Sequence, residues 1–338
     1  MSEALLRVED LVVDYRSKGR RPVRAVDRVS LAIPRGQTVG LVGESGSGKS
    51  TIAAAVLGLV APTGGRVLLE GEPMDRRSRA ARAELARQVQ AVFQDPFGSM
   101  NPTRKVGHTL GELLRHNLRL PPDQIEARLA QALAEVGMGP EAVDRFPSQF
   151  SGGQLQRLAI ARAMVVQPKL LICDEAVSSL DLSVQAQVIN LLASVTAARG
   201  LSNLFISHDL SVVTYLSDRI VVLFAGQVME EGPAGLVSAS PRHPYTQSLA
   251  LAAPVPDVAK QAARRRQRLA GRAAPAGLGP ADSGMVVPAA PGCAYAPRCP
   301  VAIGRCLRER PALVSFAATG AAVACHVAAP GSEEGPTP

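Results

Sequence analysis

Nine residues constrain this chain more than any others: Gly43-Glu44-Ser45-Gly46-Ser47-Gly48-Lys49-Ser50-Thr51. A short apolar run, Thr38 to Val42, leads into them, and Ile52 to Leu59 follows with helical character. A glycine-rich turn between a strand and a helix is a phosphate cradle. Its glycines reach backbone angles that turn successive N–H groups into one concavity, and the positive end of the helix faces the same point. In this pattern Gly43, Ser45, Gly46 and Gly48 shape the loop. Lys49 reaches the β- and γ-phosphates of a nucleotide, Ser50 ligates Mg²⁺, and Thr51 bonds the α-phosphate.

A second constellation supplies the carboxylates that phosphoryl chemistry needs. Leu170-Leu171-Ile172-Cys173 is an apolar strand ending in Asp174-Glu175. Asp174 is positioned to hold Mg²⁺, and Glu175 to orient and deprotonate an attacking water. Cys173, inside the strand, reads as a small buried hydrophobe.

Strand-like runs at Leu5–Tyr15, Val29–Ile33 and Arg66–Glu70 surround the loop, and those at Leu204–Ser207 and Ile220–Phe224 come later. Their alternation with helical segments, such as Val184–Ala198, predicts a mainly parallel α/β sheet covered by helices. Residues 103–146 differ. Leu110, Leu113, Leu114, Ile125, Leu129, Leu133 and Val136 recur at helical spacing, so this stretch reads as a helical insertion. The apolar fraction is 46%, with no Trp and 3% aromatics, so the core must be built from Leu, Val, Ile and Ala.

These motifs resemble the nucleotide-binding subunits of ABC transporters. Ser151-Gly152-Gly153-Gln154 is similar to that family's signature, with Phe150 where Leu is usual. Gln94 matches its Q-loop and a further Mg²⁺ ligand, Asp181 in Ser179-Leu180-Asp181 its D-loop, and His208 its switch histidine. Tyr15 lies where the family stacks an aromatic on adenine, and Ala176 replaces a common Pro. The resemblance implies catalytic roles for Glu175, His208 and Gln94. It also implies that the signature closes over the ATP of a facing subunit, since a Ser-Gly-Gly turn at a helix N-terminus is an anion site. Taken alone, that turn would read equally as a helix cap.

The run Phe93 to Pro102, the run Glu175 to Gln187 and His243-Pro244-Tyr245-Thr246 resemble the ATPases of dipeptide and oligopeptide importers, in their F-type version. That implies ATP-driven uptake of short peptides, with a second and different ATPase subunit, two transmembrane permease subunits and an extracytoplasmic solute-binding protein. The place implied is the cytoplasmic face of a bacterial inner membrane. Nickel, a glycoside or an opine are the alternative solutes. A soluble ATPase acting on ribosomes or DNA is a further alternative, weakened because one cassette and no long coiled coil are visible. A redox-sensing module with a secondary ATPase is another. Phe97, Met100 and Pro102 read either as docking residues for the membrane subunits or as core.

The resulting fold class is α/β: a phosphate-loop ABC cassette with a mainly parallel sheet core, an N-terminal antiparallel part and a helical insertion, plus a small C-terminal Cys-rich module. The expected limits are 1–257 for the cassette, with the helical subdomain at about 98–165, 258–290 for a linker, 291–328 for the module and 329–338 for a disordered tail. A net charge of +8 suits an anionic partner or simply an Arg-rich composition. The basic run at 264–268 reads as a solvated face or an anion site. No nucleic acid is expected, because neither a ribonucleoprotein aromatic motif nor zinc-finger spacing is present. The first residues carry no long apolar stretch, so no leader is expected, and no stretch is apolar for long enough to span a membrane.

Cys293, Cys299, Cys306 and Cys325 lie in the last module, four of five cysteines. Four close thiolates suit zinc or an iron–sulfur cluster, and unligated thiols are the third reading. The importer resemblance implies a [4Fe–4S] cluster, with His326 a less favoured ligand. ATP and Mg²⁺ complete the implied cofactors.

Overall fold

The computed structural model describes residues 4–16, 22–74, 78–116, 118–178, 180–253 and 291–329. The expected linker, the tail from residue 330 onward, the basic run and Ser179 lie outside the described residues.

An antiparallel sheet opens the fold. β1 (Ala4–Tyr15) pairs with β2 (Val23–Pro34) and with β4 (Gly64–Leu69), and β5 (Glu72–Pro73) completes the order β2-β1-β4-β5. The second sheet holds β3 (Thr38–Val42), β6 (Val89–Phe93), β7 (Leu170–Asp174), β8 (Ser202–Ser207) and β9 (Arg219–Phe224), all parallel in the order β9-β3-β8-β7-β6. β10 (Gln227–Pro233) adds antiparallel to β9.

The parallel strands are apolar on both faces, and their side chains divide by the two-residue period. Leu170 and Ile172 of β7, with Leu204 and Ile206 of β8, join the core under the antiparallel sheet. Leu171, Cys173 and Phe205 face the opposite core, under the inserted helices. α1 (Lys49–Val56) lies in the first core through Ile52, Ala53 and Val56. α2 (Arg79–Gln88) precedes β6 and buries no residue.

Residues 106–164 are largely helical. α3 (Val106–Leu110), α4 (Glu112–His116) and α5 (Pro122–Glu135) bury Leu110, Leu114, Ile125, Leu129 and Leu133, the positions whose spacing predicted helix. α6 (Gly152–Met164) packs across them, and α7 (Leu182–Arg199) follows β7. Arg199 on α7 donates to both oxygens of Glu135 on α5, at 2.7 and 2.6 Å. That pair ties the inserted helices to the sheet layer. Met100 is 3% exposed, so of its two readings the structure supports core; Phe97 is 60% exposed.

α8 (Leu210–Leu216), α9 (Ala234–Ala239) and α10 (Pro244–Ala252) follow β8, β10 and the His243 turn. The Cys-containing segment packs on this frame. After α11 (Gly304–Arg308), β11 (Val314–Phe316) and β12 (Ala321–Val323) form a hairpin, and β12 pairs with β10 through Glu230↔Val323 and Glu231↔Ala322. Among the described residues the large sheet thus has eight strands, closed at one edge by the C-terminal hairpin. Among the described residues no helix is long and apolar enough to cross a membrane.

Candidate active site at the strand ends

The registers of the parallel strands bring the sequence motifs to one edge. Val42 pairs with Ser207, Asp174 with Ile206, and Phe93 with Asp174. The phosphate loop, Glu175, His208 and Gln94 therefore leave four neighbouring strands within a residue of the same level. The carboxyl edge of a parallel sheet is where such folds bind ligands.

The loop has the backbone its glycines predict. Gly46 and Gly48 have φ of +78° and +102°. At Gly48 an added Cβ would lie 2.5 Å from the Ala25 carbonyl, so the site excludes any side chain. Ser47 is buried, and its carbonyl accepts from Gly226 N at 2.9 Å. Lys49 is 4% exposed. Its Nζ donates to the carbonyls of Gly43 and Glu44 at 2.8 and 2.9 Å, so the loop's own oxygens satisfy the buried ammonium. Burial lowers the Lys49 ammonium pKa, and the charges of Glu175, Asp174 and Glu44 oppose that shift.

Ser50 Oγ donates to Asp174 Oδ1 at 3.1 Å. Burial raises the Asp174 pKa, Ser50 opposes the rise and the Glu175 charge adds to it. A hydroxyl and a carboxylate form a hard-oxygen set that fits Mg²⁺. Glu175 has φ +50°, in the left-handed region, and its N–H is tied to Ile206 O at 3.0 Å. His208 Nδ1 lies 3.6 Å from Glu175 Oε1. Gln94 is exposed, one residue beyond the Phe93–Asp174 pair. Tyr15 ends β1, 45% exposed, with its hydroxyl 3.4 Å from Thr51 Oγ1.

The signature forms a separate exposed corner. Ser151 caps α6: its hydroxyl accepts from Gln154 N at 3.4 Å, and Gln154 Oε1 accepts from Ser151 N at 3.0 Å. This is a reciprocal capping box. Around it stand Leu180 and Val184, while Ala25 and Gly226 surround the phosphate loop. Asp181 caps α7 by position, is exposed and makes no side-chain cap bond, and Leu182 beside it is 86% exposed.

Comparison with known proteins decides the family. The ABC transporter family model matches residues 26–178, and the model for the oligopeptide/dipeptide transporter C-terminal region matches 229–306. A probable peptide ABC transporter ATP-binding protein of Sinorhizobium fredii is 44% identical over 98% of this chain and 92% of its own length. This chain belongs to the ATP-binding subunits of ABC transporters. The oligopeptide transport ATP-binding protein OppF of Salmonella typhimurium is 39% identical, covering 92% of this chain and 93% of its own. The dipeptide transport protein DppF of Escherichia coli is also 39% identical, over 96% and 95%. Among solved structures, cbiO1 of Clostridium perfringens superposes with TM-score 0.64 at 29% identity, over 71% of this chain and 92% of its own. A dimeric cassette, MJ0796, bound to ADP and phosphate, gives 0.61 at 25%, over 68% and 98%. This ABC subunit is accordingly an ATPase.

The four C-terminal cysteines line one small pocket with His243, Tyr295 and His326. All are free thiols, Cys306 and Cys325 buried, Cys293 and Cys299 half-buried. Burial pushes the Cys299 thiol up to about 11, with the neighbouring thiols adding to the rise. His326 is engaged elsewhere, with Nε2 3.0 Å from Glu309 O. Among the described residues no group of three or more Cys, His, Asp or Glu is arranged to hold a metal ion, so the implied cluster gains no support from the thiol geometry. The donor chemistry, four soft thiols on one pocket, does fit such a group.

Sequence reasoning gave no role to three residues here, Glu44 inside the loop and Arg298 and Tyr245 against it. Glu44 is gripped by Arg298, Nη1 to Oε2 and Nη2 to Oε1, both at 2.8 Å. The hydroxyl of Tyr245 accepts from Glu44 N at 2.9 Å. The available signals were an acid inside the loop and the Tyr of His243-Pro244-Tyr245-Thr246.

Proposed function

We propose that this subunit binds ATP at residues 43–51 and powers uptake of di- or oligopeptides through a bacterial ABC importer. The observation that carries the site is the convergence of four motifs at one edge of the parallel sheet. Support for the solute comes from the relatives named for peptide, oligopeptide and dipeptide transport, and from the C-terminal region shared with such transporters.

In this reading Tyr15 stacks on adenine, and Gly43, Ser45, Gly46 and Gly48 present N–H groups to the phosphates. Lys49 exchanges its loop carbonyls for phosphate oxygens, and Thr51 bonds the α-phosphate. Ser50, Asp174 and Gln94 would hold Mg²⁺, which would neutralise charge on the phosphates. Glu175 takes a proton from the attacking water, and His208 orients the γ-phosphate end of the site. Ser151, Gly152, Gly153, Gln154 and Asp181 face the nucleotide of a second ATPase subunit. Two permease subunits and a solute-binding protein complete the transporter at the inner face of the inner membrane, with exposed Phe97 and Pro102 in the docking surface. Cys293, Cys299, Cys306 and Cys325 are the residues that would hold a [4Fe–4S] cluster.

The test is reconstitution with the membrane subunits and binding protein. Peptide-stimulated ATP hydrolysis, abolished by Lys49→Ala, is the expected result; stimulation only by nickel, a glycoside or an opine would redirect the solute assignment. Anaerobic purification should yield iron and sulfide at about four each per chain. A colourless protein, with or without zinc, would remove the cluster.

A further inference from the structure

Glu44 is held at three points. Its N–H donates to Tyr245, its carbonyl accepts from Lys49 Nζ, and its carboxylate takes both Arg298 nitrogens. Two of these partners come from beyond residue 240, on the far side of the cassette's own motifs. Tyr245 is 1% exposed and fixed by ring contacts to Phe224 at 4.7 Å and Tyr295 at 5.3 Å. The Arg298 guanidinium lies 5.5 Å over the Phe224 ring. A second strap reaches the other end of the loop. Arg310 donates to Asp27 Oδ2 and O at 2.8 and 2.9 Å, Asp27 N bonds Gly226 O, and Gly226 N bonds Ser47 O.

We propose that Arg298 and Tyr245 are positioning residues for the phosphate loop, presetting Glu44, and with it the N–H cradle and Lys49, for the nucleotide triphosphate. The proposal rests on residues 43–51 being the ATP site. A glycine-rich loop loses much backbone freedom when it closes on phosphate, and a clamp that orders it beforehand removes that cost from binding. The pair is two-pronged, which fixes geometry as well as charge. Both side chains are 43% exposed, so the pair adds little to global stability and its effect falls on the loop.

Full-length chains assembled with their transporter partners are assayed for ATP hydrolysis against ATP concentration. Arg298→Ala should raise KM for ATP about three- to tenfold and leave kcat within about twofold, at an unchanged melting temperature. Arg298→Lys should recover part of the loss. Glu44→Gln breaks the same pair from the loop side with the extension intact, and should reproduce the rise. The double variant should be no worse than Arg298→Ala. KM unchanged in Glu44→Gln, or parallel losses in kcat, or additive effects in the double variant would overturn the proposal; if Arg298→Ala does not fold, Glu44→Gln alone decides. Lys49→Ala keeps the two readings apart. If it binds MgATP normally by calorimetry, the ATP-site assignment fails; if it loses binding while Glu44→Gln is unaltered, only the clamp fails.

Discussion

Glu175 carries both the proposed chemistry and measurable backbone strain. Its φ of +50° places a side chain in the left-handed region, at a cost of about 1–2 kcal/mol. The strained peptide is held by Glu175 N donating to Ile206 O at 3.0 Å, on a strand that cannot shift without breaking the sheet. Glu175→Gln keeps the shape and the strain but removes the base. Turnover should fall about 10²–10⁴-fold, which is about 3–5 kcal/mol of barrier, while ATP binding persists. Glu175→Gly also removes the base, and it relieves the strain. Glycine's extra freedom in the unfolded chain returns about 0.4–1 kcal/mol of that relief. The Gly variant should therefore melt level with the Gln variant, or up to about 3 °C above it. Phosphate release and calorimetric melting give the two readouts. A Gln variant that keeps more than about a tenth of wild-type turnover refutes the base assignment. A Gly variant melting several degrees below the Gln variant refutes the strain argument.

Ser151→Ala should cost about 1 kcal/mol through loss of the α6 capping box, and should abolish ATP-dependent association with the second ATPase; melting and size-exclusion of the Glu175→Gln background read the two effects separately. Burial depresses the His243 imidazole from 6.5 to about 4, so the native state holds fewer protons than the unfolded chain and stability present above pH 6.5 drains as pH falls toward 4, by up to about 3 kcal/mol. Urea midpoints across that window should fall in the wild type and flatten in His243→Asn, which keeps an acceptor for the Tyr245 N–H that His243 Nδ1 now binds at 3.0 Å.

What could be read from the chain was whatever is local and sits at the end of an element. Gly43 to Thr51 identifies itself because a strand, a turn and a helix must follow one another within a few residues. Asp174-Glu175 does so because an apolar strand has to end somewhere. The inserted helices were legible through Leu110, Leu114, Ile125, Leu129 and Leu133, all buried on one side. α2 left no such trace, since it buries no residue fully, and Leu85, half-buried against the core, stands alone among Arg, Ala, Glu and Gln. The pairing of β12 with β10 was equally silent: an edge addition depends on the partner strand, and β12 contributes only Ala321 to Val323. Met100 and Phe97, three residues apart with similar hydropathy, face opposite ways because the turn between them reverses the chain, with Met100 N bonded to Phe97 O at 3.2 Å.

Long-range contacts explain why the loop and its support were separable on paper and inseparable in the fold. Glu44 and Arg298 are 254 positions apart, and nothing in either neighbourhood names the other. Yet the phosphate loop must be rigid enough to preset its N–H groups and free enough to release Lys49 from its own carbonyls. Within the cassette, Ala25, Leu223 and Gly226 back the loop and fix the floor of that cradle. The C-terminal segment reaches its leading turn through Arg298 and Tyr245, and braces its floor through Arg310 and Asp27. At the signature the opposite holds: Ser151 and Gln154 satisfy each other and remain exposed, and Leu182 stands 86% in solvent. The phosphate loop is therefore braced from within this chain, whereas the signature corner stands exposed.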